Sequence, residues 1–155
     1  MVQEKSATVE ACILDYATKG VFRSVKRSET ETGMEYRFGW LSRLGAVRMV
    51  HDGEADTVEF RDMFPDIPED ARQLVQSTID KMSGPDVLPH RGVDSSKARV
   101  EFRVADGRGS VVMHILNNQD EYAFRRLVNI VNELHTNLQL YNAEYANVAF
   151  GGFDE

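Results

Sequence analysis

The 155-residue sequence predicts an α+β fold: an antiparallel sheet with helices packed on one face. Three observations carry this. Apolar residues recur every three to four positions near the start, in the middle and at the end of the chain. Between those blocks they recur every second position. Short turn signals, rather than helical crossovers, join most of the alternating blocks. The predicted order is α-β-β-β-α-β-β-α, with an extra short strand at 21–28, in a single domain of residues 1–155 whose ordered core runs from about 8 to 150.

Taken in order, Val9, Cys12, Ile13, Tyr16 and Ala17 form one apolar helical face, and Gly20 is placed to stop that helix in the left-handed conformation. Residues 21–28 have strand-like composition without clean alternation. After a polar turn at 28–33, Met34, Tyr36, Phe38 and Trp40 alternate with Glu35, Arg37 and Gly39. Arg43, Leu44 and Gly45 allow a reversal, Val47 and Met49 alternate with Arg48 and Val50, and Asp52 with Gly53 signals the next turn. Val58 and Phe60 then alternate with Glu59 and Arg61, completing a meander.

The second helix has capping-box spacing at Asp66 and Glu69, Pro68 in its first turn and Gly84 with Pro85 as its stop. Its apolar face is Ile67, Ala71, Leu74, Val75, Thr78 and Met82. Residues 84–96 form a long loop, a length that in compact domains goes with function or mobility. A hairpin follows: Ala98, Val100, Phe102 and Val104, a turn at Asp106 and Gly107, and a return through Val111, Met113 and Ile115. Asn118 with Glu121 is the expected cap of a long last helix, whose seam of Phe124, Leu127, Val131, Leu134, Leu138, Tyr141, Tyr145 and Val148 has heptad-like spacing. Such a seam serves a core stripe first and a dimer contact second.

Charge and composition narrow the classes. Eighteen Lys and Arg against 25 Asp and Glu leave a formal net charge of −7, and 42% of residues are hydrophobic. That excludes wholesale disorder and argues against a general nucleic-acid binder or a protein lying on anionic lipid. Cys12 is the sole cysteine, so an intrachain disulfide, a thiolate zinc cluster and a CxxC redox pair are all excluded. The most apolar run, residues 111–116, is far shorter than the roughly 20 residues of a membrane span. With no signal-peptide pattern at its start, the chain is expected in the cytoplasm.

No catalytic motif emerges. His51 beside Asp52 reads as a solvated turn, His114 as a structural or surface residue, and His90 and His135 as unpaired. The acidic stretch at 52–56 lacks the residue order of a calcium loop. No Ser occupies a nucleophile elbow and no glycine-rich segment forms a phosphate loop. Cys12 belongs to a core face. The expectation is a protein that is not an enzyme and carries neither metal nor cofactor.

The open sheet face is more informative. If the even-numbered strand residues of 34–40, 58–60 and 98–104 face the helices, the other face carries Glu35, Arg37, Arg48, Val50, Glu59, Arg61, Lys97, Arg99, Glu101, Arg103, Val112, His114 and Leu116. Six of these are basic and three acidic, in a chain with an acid surplus. Arg37, Arg48, Arg61, Arg99 and Arg103, with Val50, Val112 and Leu116 as apolar footholds, are the expected partner-binding residues. The plainer reading is a solvated face crossed by Arg–Glu pairs.

The order α-βββ-α-ββ-α resembles the fold shared by YbjN-like proteins and class I type III secretion chaperones. The residues that carry the likeness are Tyr36, Arg37 and Phe38 with Val47 to Val50, then Phe64 and Pro65 leading into the Pro68 and Glu69 helix start. The hairpin of 98–115 and the final helix complete it, over roughly residues 8–150. The resemblance implies a non-enzymatic, usually homodimeric protein that holds a protein partner, in the chaperone branch an extended segment. The basic sheet face adds an acidic segment as the expected partner, and the acid surplus leaves nucleic acid and membrane out. The alternative class is a small-ligand-binding or enzymatic α+β domain, with a pocket between sheet and helices gated by the 84–96 loop and drawing on His51, His114 or Arg91.

Overall fold

A computed structural model of the chain describes residues 2–41, 46–84 and 92–150, with side chains from residue 7 onward. The reversal at 43–45, most of the 84–96 loop (His90 and Arg91 included) and the tail from 151 lie outside the described residues. The elements run α1 (Val2–Thr18), β1 (Arg23–Glu29), β2 (Gly33–Gly39), β3 (Val47–Asp52), β4 (Thr57–Phe64), α2 (Glu69–Met82), β5 (Ala98–Ala105), β6 (Arg108–Ile115), α3 (Asp120–Tyr141) and α4 (Ala143–Phe150). This is the α+β class and order expected, with the extra strand present as β1 and the last helix divided in two.

All six strands join one antiparallel sheet in the order β1-β2-β3-β4-β6-β5. The chain leaves β4 through α2, lays β5 at the far edge, and the hairpin returns β6 between β5 and β4. A type I′-like turn makes that return: Asp106 and Gly107 both have positive φ, 53° and 76°. Gly20, at φ +78°, ends α1, and Val21 N donates to Tyr16 O at 2.9 Å.

Period-two alternation sends Tyr36, Phe38, Val47, Met49, Val58, Phe60, Val111 and Met113 to one face, where all are buried. There they meet Ile13 of α1, Val75 and Ile79 of α2, and Phe124, Leu127 and Val131 of α3. Burying each Phe, Leu or Met side chain contributes roughly 1.5–3 kcal/mol. Near the β1–β2 side the core is aromatic: Phe22 stacks on Phe38 at 4.0 Å, and Trp40 packs on Phe22 at 5.4 Å and Phe60 at 5.3 Å.

Three local expectations are corrected. The α2 capping box does not form, because Asp66 has φ 45° and Pro68 is the N-cap, with no side-chain cap bond. The expected Asn118 cap also fails: Asn117 and Asn118 both take positive φ, and the N-cap is Gln119. The seam does not run along one helix, since Asn142 breaks it at φ −150° and its Oδ1 accepts from Tyr145 N at 3.3 Å. α4 then folds back. Tyr145 Oη donates to Pro65 O at 2.7 Å, and Phe150 packs edge-on against Phe64 and His135. Tyr141 and Val148, two expected seam positions, are left 74% and 59% exposed.

Candidate partner-binding surface

Strand register sorts the open face into rows that cross the strands. One row aligns Lys26, Arg37, Arg48 and Arg61, four side chains in direct cross-strand register on β1 to β4. Beyond the irregularity in β4, Arg103 pairs with Ser110, whose Oγ accepts from Asp62 N at 2.9 Å, so the basic stripe continues to the β5 edge. The adjacent row reads Glu35, Val50, Glu59, Val112 and Glu101 from β2 to β5. Beyond it lie Asp52, Thr57, His114 and Arg99.

Like charges directly opposite one another across strands are destabilising. The acidic row relieves this. Arg37 Nε donates to Glu35 at 2.8 Å, Arg48 reaches the same carboxylate at 3.1 Å, and Arg61 reaches Glu59 at 3.2 Å. Arg103 and His114 share Glu101, at 3.1 and 2.8 Å. Asp62 lies 3.5 Å from Arg48 and 3.8 Å from Arg108.

The carboxyls respond accordingly. Burial alone would raise Glu35, but the hydrogen bonds from Arg37 and Arg48 outweigh it and hold the group below its usual range. Hydrogen bonds from His114 and then Arg103 lower Glu101 in the same way. The Glu59 hydrogen bond holds Arg61 more firmly protonated.

The expected site residues therefore divide. Arg37, Arg61, Arg99 and Arg103 are exposed on this face and Arg48 is half-buried. Among the described residues, Lys26 and Arg99 are in no ion pair. Val50 and Val112, expected as footholds, are 6% and 1% exposed. Each lies between two glutamates in its row, and the long charged side chains around them shut out water. Leu116, past the end of β6, is half-buried with its N–H bonded to Lys97 O. Lys97 leaves the face altogether, its Nζ standing 5.0 Å over the Tyr122 ring on α3.

His51 overturns its expected place in a solvated turn. It continues the inward alternation of Val47 and Met49, is fully buried, and has Nε2 3.9 Å from Asp120 Oδ2 in the first turn of α3. Asp52 is the residue that serves the turn, its Oδ1 accepting from Glu54 N and Ala55 N. His51 and His114 thus lie on opposite faces of the sheet, and the two cannot converge on one ligand. Cys12 is buried and its thiol is pushed up by that burial. Among the described residues no group of His, Cys, Asp and Glu is placed to hold a metal ion, and no helix is long and apolar enough to cross a membrane.

A groove outside the expected set opens between α1 and the β1–β2 hairpin, with a volume of about 770 Å³. Its signal in the sequence is a second apolar stripe on α1, Ala7, Ala11 and Leu14, outside the inward face. Compared with family models, curated proteins and solved structures, the chain matches none.

Proposed function

We propose that this chain is a non-enzymatic protein-binding domain, akin to YbjN-like proteins and secretion chaperones, that holds an acidic segment of a protein partner on its open sheet face and acts as a cytoplasmic homodimer. The observation that carries the reading is the cross-strand basic row. Helices cover one face of the sheet, and the other presents Lys26, Arg37, Arg48 and Arg61 in register at a spacing of about 4.5–5.5 Å. A segment bearing carboxylates exchanges its own charges for the intramolecular ones, so recognition comes mainly from charge register. Apolar contact plays the smaller part, because Val50 and Val112 are already covered.

The test is affinity capture from the native cell with wild type and with Arg37→Glu combined with Arg99→Glu, two exposed positions. Loss of a specific partner, with the thermal midpoint nearly unchanged, is expected. Unchanged capture of that partner by the double variant would remove this surface from consideration. Sedimentation of the purified chain checks the dimer.

A further inference from the structure

We infer that the groove between α1 and the β1–β2 hairpin is a second docking surface, one that takes a cationic amphipathic segment of a partner protein. It stands apart from the sheet-face reading, since it uses another surface and the opposite charge.

The inference begins with α1. Val9, Cys12 and Ile13 bury one face of this helix against the core. Ala7, Ala11 and Leu14, at helical spacing on a different face, line the groove instead, and Leu14 is left 54% exposed. A surface helix normally offers water a polar face opposite its buried one. Here apolar floor is left uncovered, and Met34 of β2 extends it on the other side.

The rim selects the occupant. Among the described lining residues Arg27 is the one cation, and it is closed off by Glu10 at 2.7 Å, which also accepts from Tyr36 Oη at 3.1 Å. Glu29, Glu31 and Glu54 stand exposed around the opening, and none of the three is in an ion pair among the described residues. Apolar floor and anionic rim fit a segment whose apolar side chains enter the groove while its Lys or Arg side chains reach the glutamates. A second copy of this chain is the poorer occupant: a two-fold contact here would set the acidic rim against itself, in a chain already at −7.

The test uses the full chain and two labelled helix-forming peptides, one of Lys and Leu and one of Glu and Leu, followed by fluorescence anisotropy at near-physiological salt. Binding of the Lys/Leu peptide at the groove is expected, and any binding of the Glu/Leu peptide belongs to the basic sheet face and should not respond to substitutions in the groove. Glu31→Lys combined with Glu54→Lys should weaken it about tenfold or more, a loss of about 1.4 kcal/mol. Leu14→Gln, which leaves net charge unchanged, should also weaken it. Glu69→Lys with Asp80→Lys, the same charge change at exposed positions on α2, should alter affinity by less than about twofold. Equal losses from the two charge-reversal pairs would reduce the attraction to net charge and overturn the site. So would full binding by Leu14→Gln, an equal response of both peptides to the groove substitutions, or no binding of the Lys/Leu peptide. Thermal midpoints of all variants, each altered at an exposed residue, establish that the comparison is between folded proteins.

Discussion

His51 and Asp120 lie 3.9 Å apart in the interior, tying the end of β3 to the first turn of α3. Both are at least 95% shielded from solvent, so the pair acts in a surrounding where polar groups interact strongly and are costly to strand. Asp120 also sits at the positive end of the α3 dipole. Asp120→Ala is expected to cost about 1–3 kcal/mol in urea unfolding. In a His51→Leu background the same change should cost less, giving a coupling of about 0.5 kcal/mol or more. Strict additivity would show that the two side chains stabilise the fold separately.

Glu35 is a hinge of the charge rows, accepting from both Arg37 and Arg48. Its carboxyl lies below its ordinary 4.5, so the unfolded chain takes up the proton first as pH falls. The stabilisation is complete above the unfolded value and is lost as the pH drops through the folded one. Glu35→Gln should therefore be less stable than wild type near neutrality, with the two curves converging in acid. A stability gap that stays constant down the acid limb would contradict the assignment.

His135 packs its ring edge-on against Phe150 at 4.5 Å, joining α3 to α4. Burial lowers its pKa below the ordinary 6.5, so the folded state binds this proton less readily than the unfolded one. Its contribution is complete above the unfolded value and declines as pH falls toward the folded value. His135→Leu should flatten the stability profile over that interval. The check is a series of thermal midpoints in buffers that bracket it.

Gly33 is required by close packing of backbone. A Cβ there would run into the His51 carbonyl, which belongs to the neighbouring strand and has no freedom to swing aside. Gly33→Ala should cost about 1–3 kcal/mol and broaden β2–β3 amide exchange. Gly84→Ala, where the added atom would meet only ordinary contacts at 3.5 Å, should fall within about 0.5 kcal/mol of wild type.

Much of the fold was legible because alternation and helical spacing are local consequences of which face is buried. The inward set Tyr36, Phe38, Met49, Phe60 and Met113 could be read directly, as could the left-handed stop at Gly20 and the Asp106–Gly107 turn. Capping was less legible: Asp66 and Asn118 have suitable chemistry and spacing, but both take positive φ rather than the extended backbone of an N-cap, and Pro68 and Gln119 hold the cap positions. The candidate face was legible as a set of residues and illegible as an energetic surface. Val50 reads as an apolar foothold until the glutamates to either side of it, on β2 and β4, are in place.

By itself, then, the sequence determined the α+β class, the partition of β2, β4, β5 and β6 into two faces, and the position of Arg37, Arg48, Arg61, Arg99 and Arg103 on the open one. Lys26, in a segment without clean alternation, was not legible there, and Lys97 leaves it. Tertiary structure decided how those charges spend their interactions. Cross-strand register brings Arg37, Arg48 and Arg61 into one row and lets Arg48 reach Glu35 on the next strand, a pairing between distant segments that no local spacing encodes. Arg37 with Glu35 and Arg61 with Glu59, by contrast, are pairs two residues apart on one strand. Packing likewise drew His51 into the interior opposite Asp120, broke the final helix at Asn142, and left the Ala7, Ala11 and Leu14 stripe of α1 uncovered. The physical reason is common to all of these: periodicity reports which way a side chain faces, whereas its partner depends on which other segment the fold lays against it.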